Sequence, residues 1–75
     1  MYHNITRLTL IFPEKSISYV VNDKHPTMKG CHVRDIEFNS NTKLASITFS
    51  KDNERYSQHL FISSNVTIDL VYDYN

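Results

Sequence analysis

Ser46, His59 and Asp69 are the residues whose types could do hydrolytic chemistry. A hydroxyl, an imidazole and a carboxylate in a row supply a nucleophile, a base and a group that holds the base. Counting residues through the short connectors sets Asp35, Ser46, His59 and Asp69 side by side on neighbouring strands, at a Cβ spacing of about 4.5–5.5 Å. The plainer reading is a polar row on a solvated sheet face. Nucleophile turns and oxyanion donors need special backbone, and the chain has a single glycine, Gly30. No residue is therefore assigned a catalytic role, and the chain is not expected to be an enzyme.

Cys31-His32, with His25 before and Asp35 after, offers thiolate and imidazole to a metal. The spacing fits no closed four-ligand site, there is no second cysteine, and adjacent strand residues point to opposite faces. No metal or cofactor is expected. The third grouping is cationic. Lys24, Lys29 and Arg34, with His25 and His32, make the densest basic stretch, and Tyr2, Tyr19, Tyr56, Tyr72 and Tyr74 could stack bases. Single-stranded nucleic acid is the alternative ligand class on that ground. Against it, eight Lys and Arg balance eight Asp and Glu, and the other cations are scattered.

Strands must position all of these groups. Ile, Val and Thr supply 7, 5 and 6 residues, while Gly and Ala supply one each. β-Branched and aromatic side chains suit a pleated, half-buried surface. Strict alternation marks six segments: Thr6–Phe12, Ser16–Asn22, His32–Phe38, Lys43–Ser50, Arg55–Ile62 and Val66–Tyr74. The faces read as core are Leu8, Leu10 and Phe12; Ile17, Tyr19 and Val21; Ile36 and Phe38 with Arg34; Ala45, Ile47 and Phe49; Tyr56 and Leu60 with Gln58 between, then Ile62; and Val66, Ile68, Leu70 and Tyr72. No window carries a helical stripe. The fold expected is all-β: one small domain over residues 1–75, six antiparallel strands, mainly a meander, as an open sheet or a small barrel. The simplest registers set Ile36 opposite Ala45, Ala45 opposite Leu60, and Leu60 opposite Ile68. Short connectors and even spacing suit a barrel of the Src-homology or oligonucleotide-binding kind, and equally an open sheet that dimerises. That likeness implies no function.

Each strand also carries an apolar residue on its second face: Ile11, Val20, Val33, Leu44, Phe61 and Val71. A solvated face rarely needs all six, so they are read as an interface. A 75-residue chain without disulfide or metal has a marginal core, which favours a partner or a second copy. The weakly charged strands Thr6–Phe12 and Val66–Tyr74 would be the open edges. The expected function is therefore non-enzymatic: a protein-binding module that occupies the surface of another protein and self-associates as a dimer. Residue usage biased to AT-rich codons suggests a bacterial or phage origin, with a phage- or plasmid-encoded inhibitor or adaptor as the setting. No apolar run is long enough to cross a membrane as a helix, and no signal peptide is visible, so a cytoplasmic location is expected.

Overall fold

In a computed structural model the described residues, 3–74, form six strands and no helix: β1 His3–Ile11, β2 Ser16–Val20, β3 His32–Asn39, β4 Leu44–Lys51, β5 Glu54–Phe61 and β6 Thr67–Tyr74. Every segment found by alternation is a strand, with ends displaced by up to three residues. Among the described residues, no helix is long and apolar enough to cross a membrane.

The strands divide into two antiparallel three-stranded sheets, ordered β2-β1-β6 and β3-β4-β5, and no barrel closes. The simple meander therefore fails at two joints. β1 is a central strand, flanked by β2 and β6, so Thr6–Phe12 is not an open edge. Leu60 does not pair with Ile68, because β5 and β6 belong to different sheets. The physical reason is burial. A flat six-stranded sheet leaves its apolar core face wet, whereas two short sheets stacked face to face cover each other's. The molecule is 18 Å in its thin direction, which suits two layers about 10 Å apart.

The core draws Leu8, Leu10 and Tyr19 from the first sheet, and Val33, Ile36, Ala45 and Ile47 from the second. Ile62, on the connector between β5 and β6, joins them. Leu8, Ile47 and Val33 are the largest fully buried side chains, each contributing about 1.5–3 kcal/mol on burial.

Two bulges adjust the pattern. In β3 the ladder shifts between Val33 and Asp35, so Arg34 is the extra residue. Val33 and Ile36 have opposite parity, and the bulge turns both inward. Val33 is thus 0% exposed and belongs to the core, not to a second-face interface, while Arg34, expected beside Ile36, is expelled to solvent. In β1 the shift between Ile5 and Arg7 does the same, letting Ile5 pack against the core as Leu8 does.

The hairpins set the registers. A four-residue turn pairs Asn39 with Leu44, which places Phe38 opposite Ala45 and Ile36 opposite Ile47, two residues from the expected match. A shift of two keeps every face. Ala45 does face Leu60. The β4–β5 turn, Asp52-Asn53, has both residues at positive φ, 53° and 67°. That is the left-handed pair a two-residue primed turn requires, achieved here without glycine.

At one side the sheets nearly join. Asn22 N–H donates to Val33 O at 2.7 Å, Val33 N–H to Asp23 O at 2.9 Å, and His25 N–H to Cys31 O at 2.8 Å. The long β2–β3 connector therefore runs along the first residues of β3. At the other side a gap remains between β5 and the β1–β2 hairpin.

Candidate functional site

β5 is the edge strand beside that gap, and among the described residues it pairs with β4 alone. Its alternation turns Leu60 inward, partly buried against the core, and Phe61 outward. Phe61 is 81% exposed, the largest exposure of any large hydrophobic side chain described. Beside it opens an apolar cleft of about 220 Å³, lined by Leu10, Phe12, Ile17, Tyr19, Leu60 and Val66 among others. Small-molecule pockets run to about 300–1,000 Å³. This cleft is below that range and suits a single apolar side chain of a larger partner.

The other edges are less available. β2 has five residues. The start of β3 is covered by the connector. β6 carries Asp69 and Asp73, and charges on an edge oppose strand addition. β5 carries Glu54 and Arg55 at one end only, and the stretch from Tyr56 to Phe61 has no carboxylate or ammonium.

The six apolar residues expected on one interface do not meet. Ile11, Val20 and Val71 lie on the outside of the first sheet, and the Thr9–Ser18–Asp69 row separates Ile11 from the other two. Leu44 and Phe61 face each other across β4 and β5 on the outside of the second sheet. Val33 is inside. Splitting one sheet into two layers turned a common second face into two opposite outer surfaces.

The polar row is likewise divided. Ser46 and His59 are cross-strand partners, with Ser46 Oγ and His59 Nδ1 at 3.1 Å. Glu37, not Asp35, lies opposite Ser46, because of the two-residue register difference. Asp69 is on the other sheet, 3.9 Å from Arg7. The hydroxyl and imidazole are together, and the carboxylate that would complete a triad is not with them.

Cys31 and His32 diverge as alternation requires: the thiol is buried and the imidazole exposed. Among the described residues, no three His, Cys, Asp or Glu side chains are grouped to hold a metal ion. His25 has a role that the sequence reading missed. It is 6% exposed and closes one end of the sandwich, edge-on to Tyr19 at 5.2 Å and to Phe49 at 5.4 Å. Nδ1 accepts from Thr27 N–H and Met28 N–H, both at 3.1 Å, so the proton sits on Nε2, which donates to Gln58 Oε1 at 2.9 Å. The available signal was Gln58, a polar residue on a core face, which demands a buried partner.

Two tyrosines are perturbed. Burial pushes the Tyr19 phenol above its ordinary value. Tyr56 is raised chiefly by the hydrogen bond it donates to Glu54 Oε2 at 2.8 Å. Tyr56 also stacks on Phe49. Tyr2 lies outside the described residues.

No family model matches the chain, and no curated protein or solved structure matches it.

Proposed function

We propose that this protein is a non-catalytic binding module that takes an extended segment of another protein as a further strand along β5. The observation that carries this is Phe61, outside the core at the end of the charge-free stretch Tyr56–Phe61, on an edge unpaired among the described residues and next to an apolar cleft. In strand addition, main-chain hydrogen bonds supply affinity and side-chain pockets supply specificity. β5 offers the first along its free edge and the second in the cleft. A phage- or plasmid-encoded inhibitor or adaptor of a host protein is the setting that residue usage suggests.

A second copy of the chain is also a partner this edge accepts, because β5 complements itself. Two β5 strands paired antiparallel about Gln58 set Arg55 against Phe61, Tyr56 against Leu60 and Ser57 against His59. Each is a favourable cross-strand combination, the first a cation over an aromatic ring. Single-stranded nucleic acid is less well served. Near Lys24, Lys29 and Arg34 the aromatic rings are committed: Tyr19 is buried, and Tyr56 is stacked on Phe49 and bonded to Glu54.

Selection of displayed random peptides tests the reading. Peptides with alternating β-branched and polar residues are expected to be enriched, to shift backbone amides of residues 54–62, and to lose binding to Phe61→Asp. Enriched peptides that bind Phe61→Asp equally well, or that shift amides on another surface, overturn it. Light scattering at micromolar concentration addresses the second copy. Twice the monomer mass, reduced to monomer by Phe61→Asp, supports pairing through β5. A concentration-independent monomer removes self-pairing and leaves the foreign segment.

A further inference from the structure

We propose that an open depression at the opposite end of β5 from Phe61 is a binding site for a compact phosphate-bearing anion. It is formed by the β2–β3 connector, the start of β3 and the β4–β5 turn. Its lining includes Arg34, Lys51, Arg55 and His32, with Asn22 and Ser50 between them. Asp52 on the turn is the one carboxylate in that lining.

Three features single this place out. First, a chain of zero net charge gathers three of its eight Lys and Arg here. Among the described residues an ion pair joins Arg7 to Asp69, and none engages Arg34, Lys51 or Arg55. Three like charges against the single carboxylate of Asp52 leave a net positive surface, and a multivalent anion relieves the repulsion among them.

Second, Arg34 is positioned in advance. The bulge ejects it from the ladder on this side, and its Nε donates to Ser50 Oγ at 2.8 Å and its Nη1 to Asn22 Oδ1 at 3.3 Å. Those bonds fix the guanidinium plane and leave Nη2 for a ligand oxygen. A guanidinium so fixed loses little freedom on binding, and its hydrogen bonds to phosphate are charge-assisted. Ser50 is the cross-strand partner of both His32 and Arg55, so the three side chains form one row beside Arg34.

Third, four of the five residues at positive φ line this one depression: Asn22, Gly30, Asp52 and Asn53. Gly30, at φ +81°, brings the connector against the Lys51 side chain: a Cβ added there would lie 4.0 Å from Lys51 Cε. These turns bring the β2–β3 connector and the β4–β5 hairpin to the place where the charges converge.

The aromatic rings nearest the site are committed, so a strand of stacked bases has no platform, and a small phosphate group fits better. Inorganic pyrophosphate, titrated at low salt and followed by backbone amide shifts, is the probe. Saturable binding is expected, with shifts centred on Gly30, Arg34 and Ser50–Arg55. Arg34→Gln should weaken it by about tenfold or more. Because Arg34 also bonds to Ser50 and Asn22, Arg55→Gln is the second variant: among the described residues Arg55 makes no side-chain bond, and its loss should weaken binding to a similar degree. Arg7→Gln, on the other sheet, should leave affinity unchanged. No saturable shift by about 10 mM pyrophosphate, a dissociation free energy below roughly 3 kcal/mol, overturns the site. So does an equal loss in Arg7→Gln. Tighter binding of an oligothymidylate, with shifts extending over Lys24 and Lys29, would overturn the compact ligand in favour of a nucleic-acid strand.

Discussion

His25 holds an end of the sandwich closed through both ring nitrogens. Replacing it with alanine strands the Thr27 and Met28 N–H groups and the Gln58 amide. It also removes the ring between Tyr19 and Phe49. Unsatisfied buried groups cost about 1–3 kcal/mol each when water does not reach them. His25→Ala should therefore lower unfolding free energy by about 2–4 kcal/mol. Gln58→Ala, which loses a single bond, should cost about 1 kcal/mol. Urea unfolding measures both, and a loss under about 0.5 kcal/mol for His25→Ala would mean that the ring does not close the core. At this scale Leu8, Leu10, Tyr19, Ala45 and Ile47 were legible as core from alternation alone. His25 was not, because its partner Gln58 is 33 positions away and nothing local distinguishes a buried imidazole from a loop one.

The strands end in turns that use left-handed backbone with few glycines. Lys43 sits at φ 60°, where its Cβ is strained, while its N–H closes the β3–β4 turn on Asn39 O at 2.9 Å. Asn39 Oδ1 supports the same turn by accepting from Asn41 and Thr42 N–H. Lys43→Gly should relieve about 1 kcal/mol of backbone strain, in part offset by the entropy of the unfolded glycine, and raise the melting temperature. Asn53→Val, which puts a β-branched residue at φ 67°, should lower stability by about 1–2 kcal/mol. Thermal unfolding followed by circular dichroism reads both signs, and a stabilising Asn53→Val would refute the turn assignment. The bulges had a sequence signal: Val33 and Ile36 cannot both face inward on a regular strand. That signal is ambiguous by itself, since an outward Val33 satisfies alternation equally well. The structure takes the inward choice: Val33 lies opposite Phe49 and is fully buried.

The pH dependence of stability belongs to the whole molecule. Burial raises the Tyr19 phenol above its ordinary 10.0, and the bond to Glu54 raises Tyr56. Above pH 10 the unfolded chain releases these protons while the folded chain still holds them. The unfolded state then binds fewer protons, so stability falls as pH rises. The stabilisation is complete below the unfolded value and lost as pH climbs through the folded one. Unfolding in urea between pH 9 and about 11.5 should show this decline. Tyr19→Phe should flatten it, having no proton to release, and an unchanged slope in Tyr19→Phe would assign the decline elsewhere.

Composition and alternation by themselves determined that the chain is all-β, where its six strands lie, and most of what faces the core. Those properties are local, because side chains point to alternate faces on any strand whatever it pairs with. They also set Ser46 beside His59, since the simplest pairing across the short connector between β4 and β5 is the register the structure keeps. Which strands become neighbours was decided by the tertiary structure. The connectors at residues 21–31 and 62–66 permit either a continued sheet or a crossing to a second layer, and the crossing covers apolar surface that the continued sheet would leave wet. From that choice follow the separation of Asp69 from His59, the interior place of Val33, the free edge of β5 with Phe61 beside it, and the gathering of Arg34, Lys51 and Arg55 at one end. Each depends on pairing between distant segments, and pairing is settled by the total area buried, which no single stretch of sequence contains.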